Sequence, residues 1–328
     1  MNSKFLKYYA AITLFVLVAG SIIFYQLLPD IDYEALKKRF PAGNNWYAPN
    51  INELPPSPTN DLIRYGKLLI ANTSFYLGPK GSVAQISNGL NCQNCHLEAG
   101  TRLYGSNFAQ VASSYPKYRE RSGRTESVEF RVNECMQRSM NGEPFDSLST
   151  EMRAMVAYLK WVGKDIIKGT VPAGTGPQEL SYLDRAANVN NGRNIYDAKC
   201  RTCHGGNGEG LPNVNYSGYV YPPLWGSNSF NVSAGMYRLS RLASFVKYNM
   251  PQNVKLPDLS DEEAWDVAAF INSQQRPQKF FNYDWPNLNS KPVDYPFGPY
   301  ADSFPELQHK LGPFEPIKKA RMIQKKPQ

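Results

Sequence analysis

The chain has 328 residues, 42% of them apolar and 20% charged, with a formal net charge of +8 and an isoelectric point near 9.1. That length and apolar content hold two domains with cores of their own and exclude an intrinsically disordered protein. The basic excess leaves nucleic acid, an anionic membrane surface, an acidic partner and an anionic substrate open.

Lys4 and Lys7 precede an uncharged, mostly apolar run, "AAITLFVLVAGSIIFYQLL", residues 10–28. Nineteen helical residues span roughly 28 Å, close to the thickness of a bilayer core. The lysines favour a cytoplasmic N-terminus, so residues 1–29 read as an uncleaved membrane anchor. A cleaved export signal, with Val18-Ala19-Gly20 as a weak cleavage site, is the alternative. Both readings put the remainder on the periplasmic side of a bacterial cytoplasmic membrane, which removes nucleic acid from the partners.

Residues 50–165 read as a first helical domain. It opens with an amphipathic segment, "RYGKLLIANT", around Gly66, followed by an insertion over roughly residues 71–91. "NCQNCH" then sets Cys92, Cys95 and His96 together. Two thiols at this spacing can add to the two vinyl groups of one haem, and the adjacent histidine then meets the iron. Zinc binding or a redox disulfide would use the same cysteine spacing. The histidine recurs in a second pair, however, and the chain has only three histidines. Two covalently bound c-type haems are therefore expected.

"RVNECMQRSMNG", residues 131–142, holds a fifth cysteine, Cys135, without a close partner. Val128, Val132, Met136 and Met140 recur every four residues as a packing stripe, and Gly142 is placed to end the helix. Cys135 is turned about 100° from Met136. Arg131 and Arg138 are expected to share its face. A thiol between two guanidiniums has its pKa lowered, which suits a thiolate ligand or a nucleophile. The alternative is an inert buried cysteine, with Met140 on the iron. "STEMRAMVAYLKWVG", with Met152, Val156 and Leu159 at helical spacing, closes the domain.

Residues 166–182, rich in Gly and Pro, read as a linker. Residues 183–276 repeat the first order. Gly192 stands in the opening segment, and "KCRTCH" sets Cys200, Cys203 and His204 together. A sixth ligand is expected from a later loop. Met250 in "NMPQ", with Pro251 fixing the loop, is the main candidate and Met236 the competitor. A closing helix begins at a capping box, Ser260 to Glu263. Residues 277–328 are rich in Pro and aromatic residues and are expected to wrap irregularly over the domains, with a frayed basic end.

Seven pieces of the chain, "LNCQNCHLEAG", "YPKYRERSGR", "RVNECMQRSMNGEP", "KCRTCHG", "YPPLWGSNSFN", "NMPQ" and "GPYADSFPELQHKLGPF", resemble the dihaem thiosulfate dehydrogenases, also called tetrathionate synthases. These are relatives of the sulfur-oxidation cytochromes. The cysteine segment is the most specific piece. The resemblance implies a mainly α fold with two class I cytochrome c-like domains in tandem. It implies that His96 and Cys135 ligate a catalytic haem, and that His204 and Met250 ligate an electron-transfer haem. Basic residues are implied at the active site. Arg131 matches best, and Arg121, Arg124 and Arg138, with Arg119, are further candidates. Some relatives carry a competing lysine beside the methionine, where this chain has Asn249; Lys247 stands at a different spacing.

The implied reaction joins two thiosulfates into tetrathionate and passes two electrons to a redox partner such as another cytochrome or a membrane oxidase. The same site run backwards would reduce tetrathionate. The alternative function is a membrane-anchored dihaem shuttle without catalysis, in which Cys135 is silent.

Overall fold

Two helical repeats follow one another along the chain in a computed structural model that describes residues 45–324 apart from 216, 253, 256 and 257. The first repeat is built on α1 (Pro58–Ala71), α2 (Val128–Arg138) and α3 (Thr150–Val162). Ser57, Ser127 and Ser149 cap them, each side chain accepting from an amide in the first turn. The second repeat is built on α4 (Val189–Lys199), α5 (Leu239–Asn249) and α6 (Asp261–Ser273). The capping box at Ser260 forms reciprocally, at 3.1 and 2.7 Å.

The two repeats close by the same device. α1 crosses α3 at Gly66, where a Cβ would meet the Ala154 carbonyl oxygen at 2.0 Å. α4 crosses α6 at Gly192, where a Cβ would meet the Asp266 carbonyl oxygen at 1.9 Å. Only glycine lets two backbones approach this closely. Leu69, Met152, Met155 and Tyr158 fill the first core, and Tyr196, Leu242, Trp265 and Ile271 the second.

Short strands interrupt the helical plan. β1 (Lys117–Arg119) and β2 (Arg124–Glu126) form an antiparallel hairpin, with Gly123 in the left-handed region at φ 64°. β3 (Leu211–Pro212) pairs antiparallel with β4 (Tyr219–Tyr221).

The linker, 166–182, is hydrogen-bonded to its surroundings, while one expectation, for the C-terminal segment, needs correction. Ala173 accepts from the Trp46 amide at 2.7 Å, Gly174 accepts from Asn107 at 2.7 Å, and Ser181 accepts from Trp265 at 2.9 Å. The C-terminal segment is irregular only as far as residue 305. Beyond it come α7 (Glu306–Leu311) and α8 (Glu315–Gln324). The basic stretch is therefore helical as far as Gln324, because Phe314 and Ile317 bury themselves in the second core with Trp265 and Tyr182. Among the described residues no helix is long and apolar enough to cross a membrane. The apolar run 10–28 lies outside the described residues.

Candidate functional site

The first CxxCH loop is pinned by the end of α1. Thr73 Oγ1 accepts from the Cys92 amide at 3.0 Å and lies 3.2 Å from its sulfur, while Gln93 donates to the Ala71 carbonyl at 2.7 Å. His96 Nδ1 lies 2.5 Å from the Ser106 carbonyl oxygen. That oxygen can only accept, so Nδ1 carries the proton and Nε2 keeps its lone pair. The chain then leaves through a left-handed turn, with Glu98 and Ala99 both at φ 55°. Gly100 follows at φ 81°, where a Cβ would sit 2.0 Å from the Phe108 ring. Phe108 in turn supports the imidazole at 4.5 Å between ring centroids.

The second loop repeats the arrangement. His204 Nδ1 donates to the Pro222 carbonyl at 2.9 Å, again leaving Nε2 free. His204, Cys200 and Cys203 line a cavity of about 410 Å³ whose apolar wall includes Leu224, Phe230, Leu242 and Ile271. Met250 and Met236 both line it. Lys247 is turned away to the Leu259 carbonyl at 2.5 Å and to Asp261 at 2.8 Å. Gln93, Asn94 and Cys95 of the first loop reach the same cavity, so the two motifs face each other across it. Paired thiols, a histidine oriented by a carbonyl and an apolar wall fit a c-type haem.

α2 carries Cys135 to the first loop, where its thiol comes within interacting reach of the His96 ring. Burial pushes this thiol up, but chiefly the Arg131 charge outweighs it and brings the pKa down to about 7. Arg131, in turn, is raised chiefly by Cys135, against burial. Met136 and Met140 are buried on the packing face.

Three of the other expected arginines have partners of their own. Arg138 is 2% exposed and is spent on Glu134 at 2.7 Å and on Asp284 at 2.7 and 2.8 Å. Arg121 also binds Asp284, at 2.8 and 3.1 Å, and the Ser233 carbonyl at 2.7 Å. Arg124 is exposed and stacks over Phe130, 3.9 Å from the ring centroid. Periodicity had set Arg138 on the face of Cys135. Asp284, almost 150 positions along the chain, pairs with it instead.

Tyr115 was missed from the sequence. It lies within electrostatic reach of Arg131, Arg119 and Cys135, and burial raises its pKa against the pull of the two arginines. Glu126 stands behind Arg131, 3% exposed, with one oxygen held by Ser122 at 2.7 Å and the other unpartnered. The β1–β2 hairpin and the turn before it bring these residues in, and no local motif announced them.

Residues 82–166 match the family model described as "SoxA/TsdA, cytochrome c domain", and residues 187–271 match "Cytochrome C oxidase, cbb3-type, subunit III". The chain is 36% identical to a thiosulfate dehydrogenase of Psychrobacter arcticus over 273 residues, covering 77% of this chain and 80% of that one. It is 38% identical to a thiosulfate dehydrogenase of Allochromatium vinosum over 196 residues, covering 58% of this chain and 72% of that one. Among solved structures it resembles the thiosulfate dehydrogenase (TsdBA) of Marichromatium purpuratum in its "as isolated" form. The TM-score is 0.67 at 30% identity, over 74% of this chain. The chain spans about half, 52%, of that longer protein. With two tandem cytochrome c domains and two covalently bound c-type haems, the chain belongs to the thiosulfate dehydrogenase family.

Proposed function

We propose that the protein joins two thiosulfate dianions into one tetrathionate dianion at the site around Cys135. One sulfur–sulfur bond forms, two electrons leave and no proton is exchanged. A single observation carries this reading: an isolated cysteine lies against the histidine of a haem loop, with an arginine beside the cysteine. In this reading His96 and Cys135 would hold the iron of the first haem, and His204 and Met250 that of the second. Each haem, when bound, accepts one electron.

The remaining work falls to the chain. Two dianions about 5 Å apart repel by roughly 3 kcal/mol even at the dielectric of water, and by more in a partly dry pocket. Arg131 stays charged and offers several donors to sulfonate oxygens. Tyr115, kept protonated by burial, adds a neutral donor. With both haems bound, the second would supply the exit for electrons toward another cytochrome or a membrane oxidase, and the same site run backwards would reduce tetrathionate. Residues 1–29 tether the enzyme to the membrane in this reading; release of the full chain by alkaline carbonate extraction would contradict the tether.

The deciding assay is thiosulfate turnover with an artificial electron acceptor, comparing the wild type with Cys135→Met. The variant is expected to keep both haems, counted by pyridine haemochrome, and to form no tetrathionate. Activity that survives the change would refute the assignment of Cys135.

A further inference from the structure

Arg276 lies just past the end of α6 and is 6% exposed. Its Nη2 donates to the Ile271 carbonyl at 2.7 Å. The guanidinium is flanked by the rings of Phe230 and Tyr237, 4.3 and 4.9 Å from their centroids. Its Nε and Nη1 are buried without any hydrogen-bond partner. Among the described residues no carboxylate pairs with it, although the chain pairs its other deeply buried arginines, Arg138 and Arg321, with aspartates. Burial pulls its pKa down to about 10, the response of a cation without a counterion.

Burying an unpaired cation is strongly unfavourable, so a native protein that keeps one must receive an anion there. The position says which anion. Phe230 and Ile271, the two residues Arg276 touches most directly, both line the cavity of Cys200, Cys203 and His204. The backbone on either side of Phe230 runs beside Arg276, with Gly226 donating to the Gln275 carbonyl at 2.8 Å and Val232 to the Pro277 carbonyl at 3.1 Å. Within that stretch the Ser229 hydroxyl is also buried without a partner. We infer that Arg276, helped by Ser229, binds a propionate of the haem attached through Cys200 and Cys203. The two unmatched edges of the guanidinium then meet a carboxylate that the haem itself brings. This rests on haem attachment and not on the thiosulfate reaction, so a negative turnover assay leaves it standing.

Spectroscopic redox titration of the full holoprotein tests it. Neutralising Arg276 leaves the propionate uncompensated, and its negative charge favours the ferric form. Arg276→Gln should lower the reduced-to-oxidised ratio of the second haem about tenfold at a fixed poise, equivalent to about 59 mV for one electron. The first haem should not move. Arg276→Lys keeps the charge but loses the planar fork, and should fall by less than Arg276→Gln. An unchanged second haem in Arg276→Gln, an equal shift of both haems, or a lysine variant that falls as far as the glutamine variant would overturn the inference. A crystal structure of the wild-type holoprotein decides it without any variant. A propionate oxygen on Nε or Nη1 supports the assignment, and water or a protein acceptor on both atoms refutes it.

Discussion

Asp284→Ala is the sharpest test of how Cys135 is held in place. Asp284 belongs to the irregular segment after α6 and is 8% exposed. It accepts from Arg138 at 2.8 and 2.7 Å and from Arg121 at 3.1 and 2.8 Å, so one carboxylate ties α2 to the hairpin turn and to the C-terminal segment. Glu134 binds Arg138 on its other side and accepts from the Tyr283 hydroxyl at 2.5 Å. Two arginines and two carboxylates make the cluster neutral. Removing Asp284 leaves one buried positive charge without compensation, which costs about 3–5 kcal/mol. Arg121 is 14% exposed against 2% for Arg138, so most of that loss falls on Arg138. At about 1.4 kcal/mol per tenfold, the folded-to-unfolded ratio drops by two to three and a half powers of ten. The midpoint of thermal unfolding falls by about 6–20 °C at 2–4 °C per kcal/mol. Urea and thermal melts of the holoprotein, followed by far-ultraviolet circular dichroism, measure both. A loss below about 1 kcal/mol would mean that the cluster behaves as solvated surface pairs, and the argument from burial would fail.

Gly192→Ala is expected to cost about 1–3 kcal/mol, because the added methyl would press on the Asp266 carbonyl where α4 crosses α6; an unchanged urea midpoint would contradict the close crossing. Asp294 is 1% exposed; burial raises its pKa, but Arg238 and Ser240 outweigh it, so the carboxyl titrates below its ordinary range. Its stabilisation is therefore fully present above the unfolded value near 3.9 and is lost as pH falls through the lower folded value. Asp294→Asn should flatten the acid limb of the stability curve below about pH 4, and a limb identical to the wild type would count against that account. Met250→Leu is expected to lower the potential of the second haem and to remove the red charge-transfer band of methionine-ligated ferric haem, whereas Met236→Leu should leave both in place. The reverse pattern would assign the ligand to Met236.

The haem loops were legible because their chemistry is local. Two cysteines and a histidine must lie within one turn of chain to serve one haem, so the spacing alone exposes them, as a helix period exposes α3 and a capping box exposes α6. Cys135 stands out in the sequence for the opposite reason, as a thiol that no local pairing explains. The direction of charged side chains was not legible. A guanidinium on a flexible stem goes to whichever carboxylate the fold delivers, and Asp284, arriving from the far end of the chain, pairs with both Arg138 and Arg121. Tyr115 and Glu126 escaped notice because a short hairpin with little apolar alternation brought them in. The helical end of the chain escaped notice because Phe314 and Ile317 find their core only in a domain built earlier along the chain. Sequence by itself determined which atoms can bond to haem, since covalent attachment needs only neighbours along the chain. Tertiary structure decided which cations surround Cys135 and which are spent on carboxylates, since charge pairing acts through space between residues that the chain holds far apart.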